Sequence, residues 1–429
     1  MTPEVKKRIE QIRQGIVPEG YKKTESGIIP NEWRVEQVSK CIEEYKFFSN
    51  DISHIPVYSS SRKGLVPQSD YYNQREAVET NLGYKVVPQG YVTYRHMSDD
   101  DVFHFNINKT GENVLVSSEY PVFTSSDNCD LSFLISVLNN TARFRYFCKM
   151  QKLGGTRTRL YLDNLKRYAL ALPPFDEQKK IAEILSTQDK AIELQERKIE
   201  ELKRFKKGCL EKMFPRKGQK VPETRFPGFT GDWEQRKVST IASDTRGGGT
   251  PATSNETYWS GNIPWIQSSD LSEGKLFGVE PRKYISRDGL NNSATQLVPE
   301  NSIAVVTRVG VGKLAFMPFS YTTSQDFLSL CKLQTEPHFT VYALYQMLQG
   351  ELQAVQGTSI KGMTKDDLLS KSIFAPKDEV EQQQLGSYFR NLDTLITLHQ
   401  RKLEEMKKQK KALMQLLLTG IVKTKGEVR

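Results

Sequence analysis

The sequence has few of the residues from which metal centres and disulfide scaffolds are built. Its 429 residues include five cysteines and five histidines, and no two cysteines form a Cys-x-x-Cys pair. A structural zinc site is therefore not expected, and scattered cysteines are typical of a reducing cytoplasm. No apolar run approaches the roughly 18 residues that a membrane span needs, and the charged N-terminus lacks the apolar stretch of a secretory signal. We therefore expect a cytoplasmic protein without metal ligands or a membrane anchor.

Recognisable catalytic signatures are also missing. Residues 172–175, Leu-Pro-Pro-Phe, contain the Pro-Pro-aromatic part of an amino-methyltransferase loop, but a leucine cannot hydrogen-bond an exocyclic amine. The glycines 247–249 are not followed by the Lys-Ser/Thr of a phosphate-binding loop, and residues 310–313 lack both the first glycine and the final Ser/Thr of that motif. Metalloprotease and serine-hydrolase motifs do not occur. We therefore predict a binding protein with no catalytic, cofactor-binding or metal-binding residues of its own.

The formal net charge of +10 is concentrated in two short segments. Residues 197–220 hold ten Lys or Arg against three Glu, and residues 401–425 hold eight against two. A basic protein suggests a polyanionic partner. Two interpretations of these segments remain open. The cations form the solvated face of a helix, or they contact DNA phosphates or an acidic partner subunit.

The chain is an internal duplication. Trp33 and Trp233 lie in similar segments 200 residues apart, and aligning Gln178 with Gln382 gives an offset of 204 that then holds for over 30 residues. Residues 45–150 and 245–350 show no convincing match. Shared ends indicate a common scaffold, and different middles indicate two different binding specificities.

Each copy ends in a segment with the heptad spacing of a coiled coil. The apolar positions are Ile181, Leu185, Ile192, Ile199 and Leu202 in the first copy, and Leu385, Phe389, Leu392, Ile396, Leu403, Met406, Leu413 and Leu417 in the second. Polar seam residues, which fix register at a cost in stability, are Gln188, Gln195, Lys206, His399 and Lys410. Asp176 and Asp378 are the expected N-caps. Because one apolar stripe is unstable alone, we predict an intramolecular antiparallel coiled coil, with a homodimerising zipper as the alternative.

The middle regions combine short β-rich strings with helical patches, which predicts an α+β fold with two globular domains separated by the two long helices. The expected boundaries are 1–28 for an N-terminal segment with a short helix, 29–172 and 229–374 for the globular domains, 173–215 and 375–420 for the helices, 216–228 for a linker and 421–429 for a tail. A helix over 178–214 spans about 55 Å at ~1.5 Å per residue. One DNA turn is ~34–36 Å, so such helices suit two domains that contact separated parts of one duplex.

Polar, basic and aromatic residues cluster in the predicted loops of both globular domains. Arg and Lys suit guanine O6 and N7, Gln suits adenine N6 and N7, and Ser or Thr suit phosphates or base edges. The candidate DNA-binding residues are Arg62, Lys63, Arg95, His96, Thr156, Arg157, Arg159, Arg246, Thr250, Gln267, Ser268, Arg308, Lys313, Gln325 and Lys361. Ordinary loop polarity is the alternative for any one of them, and the clustering favours the functional interpretation of the set.

Taken together, these features resemble the specificity subunits of Type I restriction-modification systems. The resemblance rests on four segments, which are 20–33 (GYKKTESGIIPNEW), 172–182 (LPPFDEQKKIA), 225–234 (RFPGFTGDWE) and 248–266 (GGTP followed by YWSGNIPWI). It covers nearly the whole chain, and the ordered, repeated combination is more specific than any one motif. The second copy departs from the first at residues 377–381, which carry an insertion.

The resemblance implies two target-recognition domains, each of which reads a few base pairs of a split asymmetric DNA site, with the coiled coil as spacer. It also implies a non-catalytic subunit that recruits two methyltransferase subunits, which bind S-adenosylmethionine, and restriction subunits, which use ATP and Mg²⁺. Two alternatives from other classes are a coiled-coil adaptor for protein partners and a self-contained DNA-modifying enzyme.

Overall fold

The computed structural model describes residues 2–71, 83–152, 154–216, 218–354 and 362–424, so the predicted site residue Lys361 lies outside the described residues. The helices of the described part are α1 (Pro3–Arg13), α2 (Gln68–Tyr71), α3 (Leu131–Asn140), α4 (Ala142–Lys149), α5 (Leu162–Lys166), α6 (Phe175–Met213), α7 (Val238–Ile241), α8 (Arg287–Asn291), α9 (Pro337–Ala354), α10 (Lys365–Ser370) and α11 (Glu379–Leu418). Short 3-10 helices span Val38–Lys40, Glu256–Trp259 and Ser268–Asp270.

The strands are short. In the first half they are β1 (Tyr21–Thr24), β2 (Gly27–Pro30), β3 (Arg34–Gln37), β4 (Ile42–Glu44), β5 (Phe48–Ser49), β6 (Tyr58–Ser61), β7 (Gly64–Pro67), β8 (Tyr84–Val87), β9 (Val92–Thr93), β10 (Met97–Ser98), β11 (Asn106–Ile107), β12 (Val114–Val116), β13 (Val122–Ser125), β14 (Thr158–Arg159) and β15 (Ala169–Leu172). In the second half they are β16 (Glu234–Lys237), β17 (Ala242–Gly247), β18 (Ile263–Ile266), β19 (Lys283–Ile285), β20 (Ser302–Val306), β21 (Leu314–Met317), β22 (Thr322–Thr323), β23 (Phe327–Leu333) and β24 (Ser372–Ala375).

The chain forms two compact units, and both are mixtures of helices and strands. Unit 1 comprises Met1–Leu194 and Leu403–Arg429, and unit 2 comprises Gln195–Lys402. Each unit boundary lies inside a long helix, so α6 and α11 each contribute residues to both units. The predicted α+β class is confirmed.

Unit 1 is built on small antiparallel sheets. A four-stranded sheet has the order β11-β9-β13-β4, a three-stranded sheet has the order β12-β8-β5, and β6-β7, β10-β14 and β3-β15 form pairs. Helix α3 begins after Asp130, whose carboxylate accepts a hydrogen bond from the Phe133 amide at 2.8 Å. Phe105, Phe133 and Phe144 are fully buried in the core between this helix and the sheet.

Unit 2 contains a larger continuous sheet, with the order β17-β23-β20-β21. Strand β20 reads Ser-Ile-Ala-Val-Val and is buried at every position, which is typical of a strand covered on both faces. Helix α9 supplies Phe339 and Tyr342 to the core on one face. A second sheet has the order β19-β18-β22, in which β18 and β22 are parallel.

The duplicated ends fold into the same local structure in each unit. Strand β3 pairs antiparallel with β15 in unit 1, and β16 pairs antiparallel with β24 in unit 2. At the start of α6, the buried Gln178 amide donates to the Pro173 carbonyl and accepts from the Asp130 amide, both at 2.9 Å. Gln382, at the start of α11, makes the equivalent contacts at 2.8 and 2.9 Å. The aligned glutamines therefore mark a joint between each long helix and its globular part.

The long helices pack against each other in antiparallel order. Within unit 2, Gln195 Nε2 lies 2.8 Å from His399 Nδ1 and donates to the His399 carbonyl at 2.8 Å. Further along α6 and further back along α11, Lys206 forms an ion pair with Asp393 at 2.5 Å. The intramolecular antiparallel pairing predicted from the heptads is confirmed.

The ion pair has a counterpart within unit 1, where Lys410 of α11 contacts Asp189 of α6. Lys410 lies 204 residues after Lys206, and Asp393 lies 204 residues after Asp189. The duplication has therefore preserved two matched ion pairs, and these ion pairs, together with the contact between Gln195 and His399, fix the register of the two helices.

The two predicted N-caps have different outcomes. Helix α6 begins at Phe175, so Asp176 lies inside its first turn and the prediction is wrong, because Pro173 and Pro174 already set the direction of the chain. Asp378 does precede α11, and its carboxylate accepts from the Val380 amide at 2.8 Å. Among the described residues, none of the helices combines the length and the apolar character that a bilayer span requires.

Candidate nucleic-acid interface

The first candidate cleft lies in unit 1 and gathers three predicted residues. Arg62 and Lys63 form the tip of the hairpin between β6 and β7, where Ser61 pairs with Gly64. Arg95 comes from the segment that leads into β10. All three cations line a cavity of about 490 Å³.

A second cleft adjoins the first. It has a volume of about 430 Å³ and is lined by Thr156, Arg157 and Arg159, with the glycines 154 and 155. The pairing of β10 with β14 sets Met97 opposite Arg159 and so brings the two clefts together, and Asp99 lines both. Six predicted residues that are up to 97 positions apart in the sequence therefore share one basic surface.

Two consecutive aspartates, Asp99 and Asp100, contact arginines of this basic surface. Arg157 Nε donates to Asp99 at 2.8 Å, and Arg62 forms an ion pair with Asp100 at 2.6 Å. Desolvation works to raise the pKa of Asp100, but hydrogen bonds from Ser98 and Arg62 outweigh it, so this pKa lies below its usual range. Two predicted DNA-binding arginines are therefore bonded to carboxylates in the DNA-free chain.

His96, the seventh predicted residue of unit 1, lies beneath the surface. It is 5% exposed, and its ring stacks on Tyr161 with the ring centroids 5.5 Å apart. Burial lowers the pKa of His96. The Glu119 carboxylate, 3.6 Å from His96 Nε2, acts to raise this pKa but is outweighed. Its backbone carbonyl accepts from the Leu160 amide at 2.8 Å, which extends the pairing of β10 with β14. This placement favours a positioning role for His96 over direct contact with a base.

The predicted residues of unit 2 form two contacting pairs. Thr250 donates its hydroxyl hydrogen to the Gln325 amide oxygen at 2.7 Å, and Lys313 donates to the Ser268 carbonyl at 3.4 Å. The Gln267 backbone amide donates a hydrogen bond to the Asp270 carboxylate at 3.0 Å. Arg246 lies apart on β17, where it bonds to Asp244 at 3.0 Å.

A glycine turn explains how Thr250 reaches Gln325. A Cβ on Gly248 would lie 1.8 Å from the Ser324 carbonyl oxygen, and one on Gly249 would lie 2.4 Å from the Thr295 amide nitrogen. Only glycine permits the backbone to approach this closely. Trp265 Nε1 also donates to the Gly249 carbonyl at 2.9 Å. The Gly-Gly-Thr-Pro motif therefore allows the Thr250 loop to pack against the turn between β22 and β23, which carries Gln325.

The loop between β20 and β21 carries Arg308 and Lys313 at its two ends. The Val306 amide donates to the Lys313 carbonyl at 2.9 Å, which closes the loop as a hairpin. Val309, at its tip, is 69% exposed. The loop therefore projects an arginine and an apolar side chain to solvent, a combination that suits base edges and thymine methyl groups.

Sequence reasoning missed the exposed cations of helix α4 in unit 1. Arg145, Tyr146 and Lys149 are exposed on it, and Tyr146 is 66% exposed. Burial and the nearby cations Arg62 and Arg145 lower the pKa of His104, which lines the first cleft. A signal was present, because residues 131–162 hold six Arg or Lys and no Asp or Glu.

One cation of the basic segment 197–220 follows neither of the two interpretations offered for that segment. Lys206 is 8% exposed and bonded to Asp393, so it serves the helix pairing. Lys203 and Lys207 line a cavity of about 790 Å³ between α6, α9 and α11 of unit 2. Within the described residues, no group of His, Cys, Asp or Glu is arranged to hold a metal ion.

A sequence model of the Type I restriction modification DNA specificity domain matches the chain twice, at residues 38–204 and 230–408. A putative Type I restriction enzyme MjaX specificity subunit from Methanocaldococcus jannaschii is 23% identical over 95% of this chain and 97% of its own length. The EcoR124I/EcoR124II specificity subunit of Escherichia coli is 30% identical over 35% of this chain and 38% of its own length.

Two solved structures share the fold. A chain from work on complex assembly and conformational transition of the type I R-M system has a TM-score of 0.56 at 15% identity, over 92% of this chain and 99% of that one. The S subunit of a Type I restriction-modification system from M. genitalium has a TM-score of 0.54 at 11% identity, over 90% of this chain and 96% of its own. At these identities the likeness concerns the fold alone.

Proposed function

The chain belongs to the family of Type I restriction-modification DNA specificity domains, and from that premise we propose that it recognises a bipartite, asymmetric DNA site. Each of the two units reads one half of the site through its own candidate residues. The long helices set the separation between the halves. The target-recognition role of each unit rests on the loops that carry these residues.

One observation carries this proposal. The two units share the β3-β15 and β16-β24 pairs and the Gln178 and Gln382 joints, yet their candidate DNA-binding residues differ in type and in arrangement. Unit 1 offers five Arg or Lys and a threonine, whereas unit 2 offers a Thr-Gln pair and a projecting Arg308. Arg suits guanine and Gln suits adenine. A common scaffold with different candidate residues supports two readers with different sequence preferences.

The proposal extends to the partners. The chain scaffolds two methyltransferase subunits and, where they are present, restriction subunits, while it supplies no catalytic residue itself. S-adenosylmethionine, ATP and Mg²⁺ act in those partners. The duplication supports two equivalent docking positions, because equivalent residues of α6 and α11 recur at an offset of 204. The relatives from M. jannaschii and E. coli are specificity subunits of restriction enzymes.

Methylome sequencing of a host with and without this chain tests the proposal. We expect one split, asymmetric methylated motif that is present only when the chain is expressed with its methyltransferase subunit. The purified chain should transfer no methyl group and cleave no DNA by itself. A methylome unchanged by deletion of the chain contradicts the recognition function, and activity of the purified chain favours a self-contained enzyme.

A further inference from the structure

The unit 1 surface contains carboxylates that the proposed function does not use. Asp99 lines both clefts and accepts a hydrogen bond from Arg157 at 2.8 Å. Asp100 lies 2.6 Å from Arg62. Carboxylates repel phosphates, so their presence in a surface that must accept DNA requires a physical explanation.

We propose that Asp99 and Asp100 are specificity-determining residues. They form ion pairs with Arg157 and Arg62 in the DNA-free chain and so disfavour the binding of non-target duplex. This inference rests on the proposed DNA-recognition function. A phosphate that approaches either arginine must replace a carboxylate that is already bonded to it. Target DNA presents uncharged base edges to the same arginines, whereas other DNA presents phosphates, which the carboxylates repel.

The exposure of these pairs suits an exchange of partners. The side chains of Arg62 and Asp100 are 62% and 47% exposed, and those of Arg157 and Asp99 are 50% and 69% exposed. Exposed ion pairs are weak, so both arginines can leave their carboxylates and contact DNA. The carboxylates still repel a phosphate that lies against either arginine, and they cost less where the arginine contacts a base edge, because a base edge carries no net charge.

Unit 2 has a smaller version of the same arrangement. Arg246 bonds to the Asp244 carboxylate at 3.0 Å, two positions earlier on the same strand. In both units, therefore, predicted DNA-binding arginines are paired with a nearby aspartate before any DNA is bound.

The test compares two duplexes with the full chain in complex with its methyltransferase subunits. One duplex carries the methylated motif found by methylome sequencing, and the other is a mixed-sequence duplex of equal length. We expect the double variant Asp99→Asn/Asp100→Asn to bind the mixed-sequence duplex about 10-fold more tightly, because two like charges are removed beside the phosphates. Its affinity for the target duplex should rise less than about threefold, so the ratio of the two affinities falls.

The control is Asp127→Asn/Asp176→Asn, which makes the same change in net charge at two exposed positions of unit 1 that do not line either cleft. We expect it to change both affinities by less than twofold. An equal gain on both duplexes, or a gain matched by the control, overturns the inference in favour of a general charge effect. A loss of affinity for the target duplex alone also overturns the inference, because it would mean that the carboxylates contact bases directly. If the wild-type complex bound neither duplex, the proposed function would fail and this inference with it.

Discussion

Gln178 satisfies several backbone groups from a fully buried position. It accepts from the Asp130 amide and donates to the Pro173 and Asn128 carbonyls at 2.9 and 3.3 Å. We expect Gln178→Leu to destabilise unit 1 by about 1–3 kcal/mol, because buried backbone groups lose their partners. Calorimetry should show one unfolding transition lowered by roughly 2–4 °C per kcal/mol. The exposed Gln409→Leu is the control. An equal shift of the unfolding temperature in both variants contradicts the stabilising role of the Gln178 hydrogen bonds.

Arg145 and Lys149 are suited to phosphate contact, because both are exposed on α4 and Arg145 is near enough to His104 of the first cleft to lower the pKa of that histidine. We expect the double variant Arg145→Ala/Lys149→Ala to weaken binding to the target and mixed-sequence duplexes by similar factors. The slope of log K against log salt should become shallower by about 2, at roughly 0.9 per phosphate contact. Binding titrations at several salt concentrations measure this. Lys6→Ala/Lys7→Ala on α1 is the matched control, and a selective loss on the target alone argues that these residues read bases.

At the scale of elements, the paired helices α6 and α11 are the proposed spacer between the half-sites. We expect the insertion of one heptad into each helix, next to Gln195 and His399, to preserve the pairing and lengthen the gap between half-sites. Seven residues at ~1.5 Å each correspond to roughly three base pairs. Methylome sequencing reads the new spacing directly. Insertion into one helix alone should abolish methylation, because it shifts Lys206 away from Asp393, and an unchanged spacing in the double insertion rules out the spacer role.

At the scale of the whole molecule, the duplication predicts that the two recognition functions are separable. We expect replacement of residues 234–372 by the corresponding region of another family member to change one half-site and leave the other unchanged. The replaced segment lies between the helices and contains every predicted site residue of unit 2. Methylome sequencing of the hybrid is the measurement. A change in both half-sites contradicts two independent readers.

The sequence by itself determined the duplication, the two long helices and their antiparallel pairing. These follow from periodic apolar positions and from repeated residues such as Gln178 and Gln382, which are properties of neighbouring positions along the chain. It also predicted the loops that supply the candidate residues, whose contacts with DNA stay predictions.

Only the tertiary structure decided which side chains meet. Arg157 and Asp99 are 58 positions apart, and the pairing of β10 with β14 brings them together. The burial of His96 and the exposure of α4 likewise depend on how the core packs. Such contacts join distant parts of the chain, so no local pattern encodes them, and they set the charge that an approaching duplex meets.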